Sequence, residues 1–337
     1  MWRERLAEIS ERPGRARAVW IGIALLVSWL HLFVHGARID HLEFILDEAG
    51  TWGVARQSIW TLFTLPTEFH SQPPLYYFVL HGLLQVGDSI WFLRMSSWFF
   101  CLLLLQFVLF FLHELNLTSR VVLCLALIYS DMFRFLAQTV RPYALAALLT
   151  LVASVFLLRL CRTPSRQTAV AYVVAALAML WTMAFEVAVL LSHGLFVVAV
   201  CTIWSIEELR RPGRAGLHRA WHRCRWLVGA MTAVVVGYLP YLLMAIHYQY
   251  QSTGPKPLGK LLERATYVTG TDAFFRWHPA LMLMVYAFCV IALVRALRSR
   301  ERDPLLWGLM AVCQIAFVHY FVLGRPNVTP QAKYMMP

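Results

Sequence analysis

Long apolar runs separated by short polar segments form the dominant pattern of the chain. A helix crosses the hydrocarbon core of a bilayer with about 17–25 apolar residues. Nine runs have this length, so the pattern predicts an all-α integral membrane protein with about nine spans. The predicted spans are Val19–His35, Met95–His113, Arg120–Ala137, Tyr143–Arg159, Thr168–Phe185, Val187–Trp204, Trp226–His247, Pro279–Leu297 and Pro304–Leu323.

The run Pro74–Phe92 is also apolar but differs from the nine predicted spans. It begins with a proline, which fits the first turn of a helix, and it is interrupted by Gln85, Gly87 and Asp88. We therefore expect a juxtamembrane or re-entrant helix here, and a further interfacial helix within residues 49–64.

Basic residues predict the orientation of the spans. They are concentrated in residues 1–18, 159–166, 210–225 and 295–302. Cytoplasmic loops carry an excess of Lys and Arg, so these four segments are predicted to be cytoplasmic. Residues 1–18 then form a cytoplasmic tail in front of one transmembrane domain, 19–337. The loop 36–94 and Arg141 are predicted to be extracytoplasmic, which requires an even number of crossings between them.

Composition narrows the class of protein. Hydrophobic residues make up 60% of the chain and charged residues only 14%, whereas soluble domains are about 45–50% apolar. The cytoplasmic loops account for the net charge of +12, so we expect no nucleic-acid partner. The seven cysteines lie within or beside apolar runs without a Cys-x-x-Cys pair, which argues against a disulfide framework. Arg-rich, Lys-poor loops favour a bacterial inner (plasma) membrane.

Asp47 and Glu48 are adjacent carboxylates in the otherwise aromatic and apolar loop after the first predicted span. A single acid there would be typical of a solvated loop, but we interpret the pair as part of a catalytic loop. A positioned carboxylate can take the proton from a hydroxyl nucleophile. Neighbouring side chains point apart, so we expect Asp47 to act as the base and the other acid to hold the loop, for instance by pairing with an arginine.

Arg94 and Arg141 lie at the outer ends of predicted spans. A guanidinium binds phosphate with two parallel hydrogen bonds, so both are candidate phosphate ligands. The alternative is an arginine that reaches the membrane interface only for solvation. The loop is predicted to re-enter the membrane near His70, Gln72 and Tyr76. We expect these side chains to contact the loop or the substrate. His70 either ligates a divalent metal or is hydrogen-bonded within the loop.

These motifs, in this order, resemble the GT-C membrane glycosyltransferases of the protein O-mannosyltransferase and aminoarabinose-transferase type. The resemblance covers about residues 19–160 and the C-terminal end. Besides the acidic pair, it rests on His70-Ser-Gln-Pro-Pro-Leu-Tyr-Tyr77, Leu93-Arg94-Met-Ser-Ser97, Arg141-Pro-Tyr-Ala-Leu145 and Lys333-Tyr-Met-Met-Pro337. Relatives of the aminoarabinose-transferase kind carry an acid–lysine pair before the two prolines, which serves metal and phosphate. Ser71-Gln72 stands there in this chain, which leaves a divalent metal as an open question.

The resemblance implies a GT-C transmembrane bundle that transfers a sugar from a polyprenyl-phosphate carrier, with inversion, on the extracytoplasmic face. The acceptor would be a lipid, glycan or protein of the cell envelope. Asp47 would be the general base, with Glu48 as its neighbour and Arg94 and Arg141 as ligands of the donor phosphate.

Two alternatives remain. The first is a transporter or flippase for a lipid-linked sugar, which would place ionisable residues along a path through the membrane. In this chain the candidate residues gather at one predicted face. The second is an inactive member of the family, because Arg325–Pro337 has the pattern of a lead-in to a further span. On that pattern we expect the C-terminal helices to be missing.

Overall fold

The computed structural model describes residues 13–36, 39, 46–64, 72–112, 115–210 and 216–253, and all regular structure in these ranges is helical. The helices are α1 (Pro13–His31), α2 (Leu46–Ala55), α3 (Ile59–Thr64), α4 (Leu75–Leu84), α5 (Ile90–Phe111), α6 (Leu117–Ile128), α7 (Asp131–Gln138), α8 (Tyr143–Arg162), α9 (Arg166–Thr182), α10 (Val187–Arg210) and α11 (Gly216–Thr253). A π-helical turn, Leu32–Gly36, continues α1, and a 3-10 turn, Ala184–Glu186, precedes α10.

Five helical segments of the described chain are long and apolar enough to cross a membrane, and each matches a predicted span. They are Ala18–Gly36, Ile90–Phe111, Tyr143–Arg162, Val187–Leu209 and Cys224–Met244. The chain is thus an all-helical, polytopic membrane protein in the ranges that the structure describes. Helix α9 has 17 residues and matches the predicted span Thr168–Phe185. The predicted spans Pro279–Leu297 and Pro304–Leu323 lie outside the described residues.

The predicted span Arg120–Ala137 is not one continuous helix. The segment forms two helices instead, α6 with 12 residues and α7 with 8 residues, separated at Tyr129 and Ser130. Ser130 has extended backbone, and its hydroxyl accepts a hydrogen bond from the Phe133 amide at 3.5 Å. This N-cap stabilises the start of a new helix. The polar residues at the break, Ser130 and Asp131, are too few to lower the hydropathy of the whole run below that of a span, so the hydropathy pattern does not show the break.

The run that begins at Pro74 forms a short helix, as the sequence predicts. Helix α4 has 10 residues, which at 1.5 Å per residue is about 15 Å, half of a hydrocarbon core. Residues 85–89 that follow it are not helical. The single interfacial helix expected within residues 49–64 is instead two helices, α2 and α3. Because α2 begins at Leu46, the acidic pair lies on a helix and not in a loop.

The described chain divides into two compact units. The first unit contains α1–α7 and α8 as far as Val155. The second contains α8 from Phe156, helices α9–α11, and Gln72 and Pro73. In the first unit, α5 contacts α1, α4, α6 and α7, and α2 packs on α4. In the second, α11 packs against both α9 and α10.

A small apolar cluster in the first unit fixes α2 against its neighbours. Its buried members come from α2, α4, α5, α8 and the turn between α7 and α8. They are Ala55, Tyr76, Leu80, Leu93, Val140 and Leu145. Burial of this cluster places the side of α2 that carries Glu48 next to Arg94 and Val140.

Candidate active site

Glu48 is the centre of a buried hydrogen-bond network in the first unit. Its side chain is 1% exposed. One carboxylate oxygen, Oε1, accepts hydrogen bonds from Arg94 Nε at 3.2 Å and from the Val140 amide at 2.8 Å. The other, Oε2, accepts from Arg94 Nη2 at 2.8 Å. Three hydrogen bonds from two different segments therefore hold the Glu48 carboxylate in one position.

Arg94 is completely buried and binds Glu48 with the two-pronged geometry of a guanidinium–carboxylate pair. Its third nitrogen, Nη1, donates to the Ile39 carbonyl at 3.0 Å. The expectation that one of the two adjacent acids pairs with an arginine is therefore met by Glu48. The phosphate role predicted for Arg94 needs an accessible guanidinium, and in the described structure this group faces Glu48 and the backbone at residue 39.

The Glu48–Arg94 pair joins four segments of the chain. They are residue 39, the first turn of α2, the first half of α5, and the turn between α7 and α8. The pair therefore fixes both the position and the rotation of the N-terminal end of α2. Loss of one partner would leave the other as an uncompensated buried charge, which is strongly destabilising.

Arg141 lies in the turn between α7 and α8 and is partly exposed. Its Nη1 donates to Thr51 Oγ1 at 3.1 Å, and its Nη2 donates to the Tyr143 hydroxyl at 3.2 Å. The guanidinium carbon lies 5.4 Å from the centroid of the Tyr143 ring. Arg141 is thus held against the second turn of α2 and keeps access to its surroundings.

Asp47 is in the first turn of α2. The structure describes its backbone, and its side chain lies outside the described part. Thr51, which accepts a hydrogen bond from Arg141, follows position 47 along α2 by about one helical turn.

Tyr76 in α4 is 1% exposed, and its hydroxyl has no hydrogen-bond partner among the described residues. The same is true of the buried hydroxyl of Ser97 in α5. Burial raises the pKa of Tyr76 far above its ordinary value, while the nearby hydroxyls of Ser97 and Ser96, which do not meet the geometry of a hydrogen bond to Tyr76, and the charge of Arg141 act in the opposite direction. Tyr76 is therefore a neutral hydroxyl close to the residues that hold α2.

Gln72 belongs to the second unit and is buried. Its Oε1 accepts a hydrogen bond from the Ala184 amide at 3.2 Å, in the 3-10 turn before α10. The structure therefore brings Glu48, Arg94, Arg141 and Tyr76 together in one unit and gives Gln72 a backbone partner in the other. His70 lies outside the described residues. Within the described ranges, no three His, Cys, Asp or Glu side chains come together as metal ligands.

Four groups in or beside this network were not predicted from the sequence: Thr51, the Val140 amide, the Ile39 carbonyl and the Ser97 hydroxyl. Thr51 could have been found, because it follows Asp47 by one helical turn once α2 is recognised as a helix. The two backbone groups carry no signal in the sequence, since any residue supplies them. Ser97 is indicated only by its place in the Leu93–Ser97 motif.

A separate pocket of about 430 Å³ lies at the C-terminal end of α2. It is lined by polar groups that include Arg56, His81 and Asp88. Arg56 and Asp88 form an exposed ion pair of 3.3 Å, and His81 Nδ1 lies 2.8 Å from the Ala55 carbonyl. The residues predicted for the site do not line this pocket, so it adds no group to the network around Glu48.

Comparison with models of known protein families, with curated proteins and with solved structures gave no match to this chain.

Proposed function

We propose that the protein is a membrane glycosyltransferase that moves a sugar from a polyprenyl-phosphate carrier to a cell-envelope acceptor on the extracytoplasmic face. Asp47 is the general base in this proposal, and Arg141 is the cation that faces the donor phosphate. The proposal rests on the motifs of the sequence and on the arrangement of charged side chains around α2.

The single observation that carries the proposal is the buried pair of Glu48 and Arg94. A charged pair without solvent access is costly to bury, and its replacement by apolar residues is often neutral or stabilising. The presence of this buried pair at the start of α2 is explained if the function requires one exact position of this helix. The residue placed by it is Asp47, directly before Glu48 on the same helical turn.

In the proposed reaction, Asp47 acts on the acceptor hydroxyl and Arg141 acts on the leaving phosphate. The Asp47 carboxylate takes the proton from the acceptor hydroxyl as its oxygen bonds to the anomeric carbon. The bond from that carbon to the phosphate oxygen breaks, and its electron pair leaves with the lipid phosphate. Arg141 stabilises the added negative charge. Attack opposite the leaving group inverts the configuration of the sugar.

Arg94 acts differently from Arg141 in this proposal. Its guanidinium is fully buried and donates to Glu48 and to the Ile39 carbonyl. We therefore assign Arg94 a positioning role, through Glu48 and α2. Tyr76 supplies a neutral buried hydroxyl next to Arg141 and the two serines of α5.

The test is transfer of radiolabelled sugar from a panel of polyprenyl-phosphate sugars, with the full-length protein in membranes. Asp47→Asn should lower turnover by at least about a hundredfold, because general base catalysis contributes roughly 10²–10⁴-fold. Its thermal stability should be unchanged. Glu48→Gln, the matched control on the next residue, should lower thermal stability as well as turnover, since it weakens the buried pair. Full turnover of Asp47→Asn would contradict the assigned base.

A second candidate function, transport of a lipid-linked sugar, is favoured by His31 and His35. Both side chains are fully buried within the first candidate span, with ring centroids 4.9 Å apart. Ionisable residues inside a membrane often mark a transport path. Proteoliposomes that contain a fluorescent lipid-linked sugar distinguish the two functions. Translocation that requires His31 and His35 but not Asp47 would favour the transporter.

A further inference from the structure

A groove of about 490 Å³ lies between α9 and α11 in the second unit. Small and branched apolar side chains line its length, among them Ala169 and Val173 of α9 and Gly229 and Ala233 of α11. Two arginines, Arg166 and Arg225, lie at one end of this lining. The groove is thus apolar along the helices and basic at its mouth.

The apolar part of the groove ends at a contact between the two helices, away from the arginines. The lining on α9 runs from Arg166 to Val174, nine residues, which span about 12 Å along the helix axis. Beyond it, a β-carbon added at Gly237 of α11 would lie 2.9 Å from the Leu177 side chain. Trp181 and Tyr241 are in ring contact one turn further, with centroids 6.0 Å apart. The two helices therefore run in the same direction and are in contact beyond the apolar part of the groove.

The arginines at the mouth are available to an anion. Both side chains are exposed, and neither is in an ion pair with a described carboxylate. The guanidinium of Arg225 lies 5.5 Å from the ring centroid of Trp226, a residue type common at membrane interfaces. Arg166 begins α9, but the capping box of Ser165 and Thr168 already binds amides at this helix end. The anion would therefore be bound by the guanidinium groups.

We propose that this groove binds an anionic phospholipid, with its phosphodiester between Arg166 and Arg225 and an acyl chain between α9 and α11. Two guanidinium groups match a phosphate oxyanion by charge and by geometry. Basic pockets between membrane helices are a known setting for anionic headgroups. A free phosphate has no apolar part that could pack along the groove, whereas an acyl chain does. The loops that contain both arginines are predicted to be cytoplasmic, so the lipid would come from that leaflet.

Native mass spectrometry of the full-length protein tests the site, after incubation in detergent with equal amounts of phosphatidylglycerol and phosphatidylcholine. The wild-type protein should retain phosphatidylglycerol in preference to phosphatidylcholine. Arg166→Gln with Arg225→Gln should lower the retained phosphatidylglycerol at least about tenfold, a loss of about 1.4 kcal/mol. Arg162→Gln removes the same charge from a position on the same predicted side, outside the groove lining, and should retain the preference.

A second variant tests the groove separately from the charges. Ala233→Trp fills the apolar part and leaves both arginines, and it should also abolish the preference. Equal retention of phosphatidylglycerol by the double variant and the wild type would overturn the proposal. Retention by Ala233→Trp would overturn the groove as the acyl-chain site. Full displacement of the lipid by inorganic phosphate would show a phosphate site and would overturn the lipid as occupant.

Discussion

Two ion pairs of the first unit should differ in how much the free energy of unfolding falls when one partner is replaced. Arg94 and Glu48 are completely buried, whereas the side chains of Arg56 and Asp88 are 49% and 70% exposed. Arg94→Met should lower the free energy of unfolding by about 3–5 kcal/mol, because it leaves a buried carboxylate without its cation. Arg56→Met should cost less than about 1 kcal/mol.

Denaturant unfolding of the purified protein in detergent measures both changes. The double variant Glu48→Met with Arg94→Met should recover part of the lost stability, since no uncompensated charge remains. If Arg94→Met and Arg56→Met shifted the unfolding midpoint equally, the pair of Glu48 and Arg94 would have no special place in holding α2.

The fork of the Arg141 guanidinium binds two partners at once, Thr51 and the Tyr143 hydroxyl. Arg141→Lys keeps the charge but loses this geometry. We expect sugar transfer to fall by at least about tenfold, a loss of about 1.4 kcal/mol from the barrier, at unchanged expression. Thr51→Val removes one of the two partners and should cause a smaller loss. Equal transfer by Arg141→Lys and wild type would identify Arg141 as an interfacial arginine.

The buried hydroxyl of Tyr76 should make stability fall at alkaline pH. Its pKa is raised above the ordinary value of 10.0 by burial, so the folded state keeps the proton that the unfolded state releases. The resulting stabilisation is complete below pH 10 and is lost as the pH rises further. Tyr76→Phe removes this dependence, so its thermal stability should fall less than that of the wild type above pH 10.

At pH 7, the stability of Tyr76→Phe should differ from that of the wild type by at most about 1 kcal/mol, because the Tyr76 hydroxyl has no partner with hydrogen-bond geometry among the described residues. Tyr129→Phe makes the same atomic change at a side chain that is 69% exposed, and it is the control. Melting temperatures of the wild type and the two variants, measured as a function of pH, test this prediction. Identical alkaline profiles would show that the hydroxyl of Tyr76 ionises as it does in an unfolded chain.

At the scale of whole helices, the contact of α9 with α11 depends on the absence of a side chain at Gly237. A β-carbon there would lie 2.9 Å from Leu177, whereas a β-carbon at Gly194 in α10 would meet nothing within 4 Å. Gly237→Val should therefore lower stability by about 1–3 kcal/mol more than Gly194→Val, which makes the same change within a helix. Adding Leu177→Ala to Gly237→Val should restore part of the loss. Equal melting temperatures of the two glycine variants would contradict the close packing.

The sequence predicts the helices well where hydropathy and helix ends coincide. The predicted span Tyr143–Arg159 and the observed α8 begin at the same residue. The break between α6 and α7 was missed because it depends on the cap at Ser130, within an apolar run. Position 47 was placed in a loop because the aromatic and apolar residues around it show no clear helical period.

The pairing of one of the two adjacent acids with an arginine was predicted from the sequence, but not which arginine. Both acids and both arginines were named, and the expectation that one acid binds an arginine is met by Glu48. The identity of that arginine could not be read from the sequence, because Arg94 is 46 residues away and reaches Glu48 only through the packing of α2, α4 and α5. Arg94 and Arg141 look alike in the sequence, and only burial distinguishes them.

At the scale of the molecule, orientation decides whether the chemistry around Asp47 faces the proposed donor. The chain from α2 to the end of α8 contains α5, the broken pair α6 and α7, and α8. If α5, the α6–α7 pair and α8 each cross once, residues 50 and 163 lie on opposite sides. The broken pair is the least certain crossing to assign by length, since α6 has 12 residues and α7 has 8.

Cysteine labelling tests this order of crossings. In a variant without the seven native cysteines, Gly50→Cys, Thr118→Cys and Thr163→Cys place thiols at exposed positions. An impermeant maleimide added to intact cells should label position 50 only, and positions 118 and 163 only after permeabilisation. External labelling at 163 but not at 118 would show that α6 and α7 do not cross. Labelling of position 50 from the cytoplasm alone would place Asp47 on the wrong side for the proposed donor and would overturn the transferase mechanism.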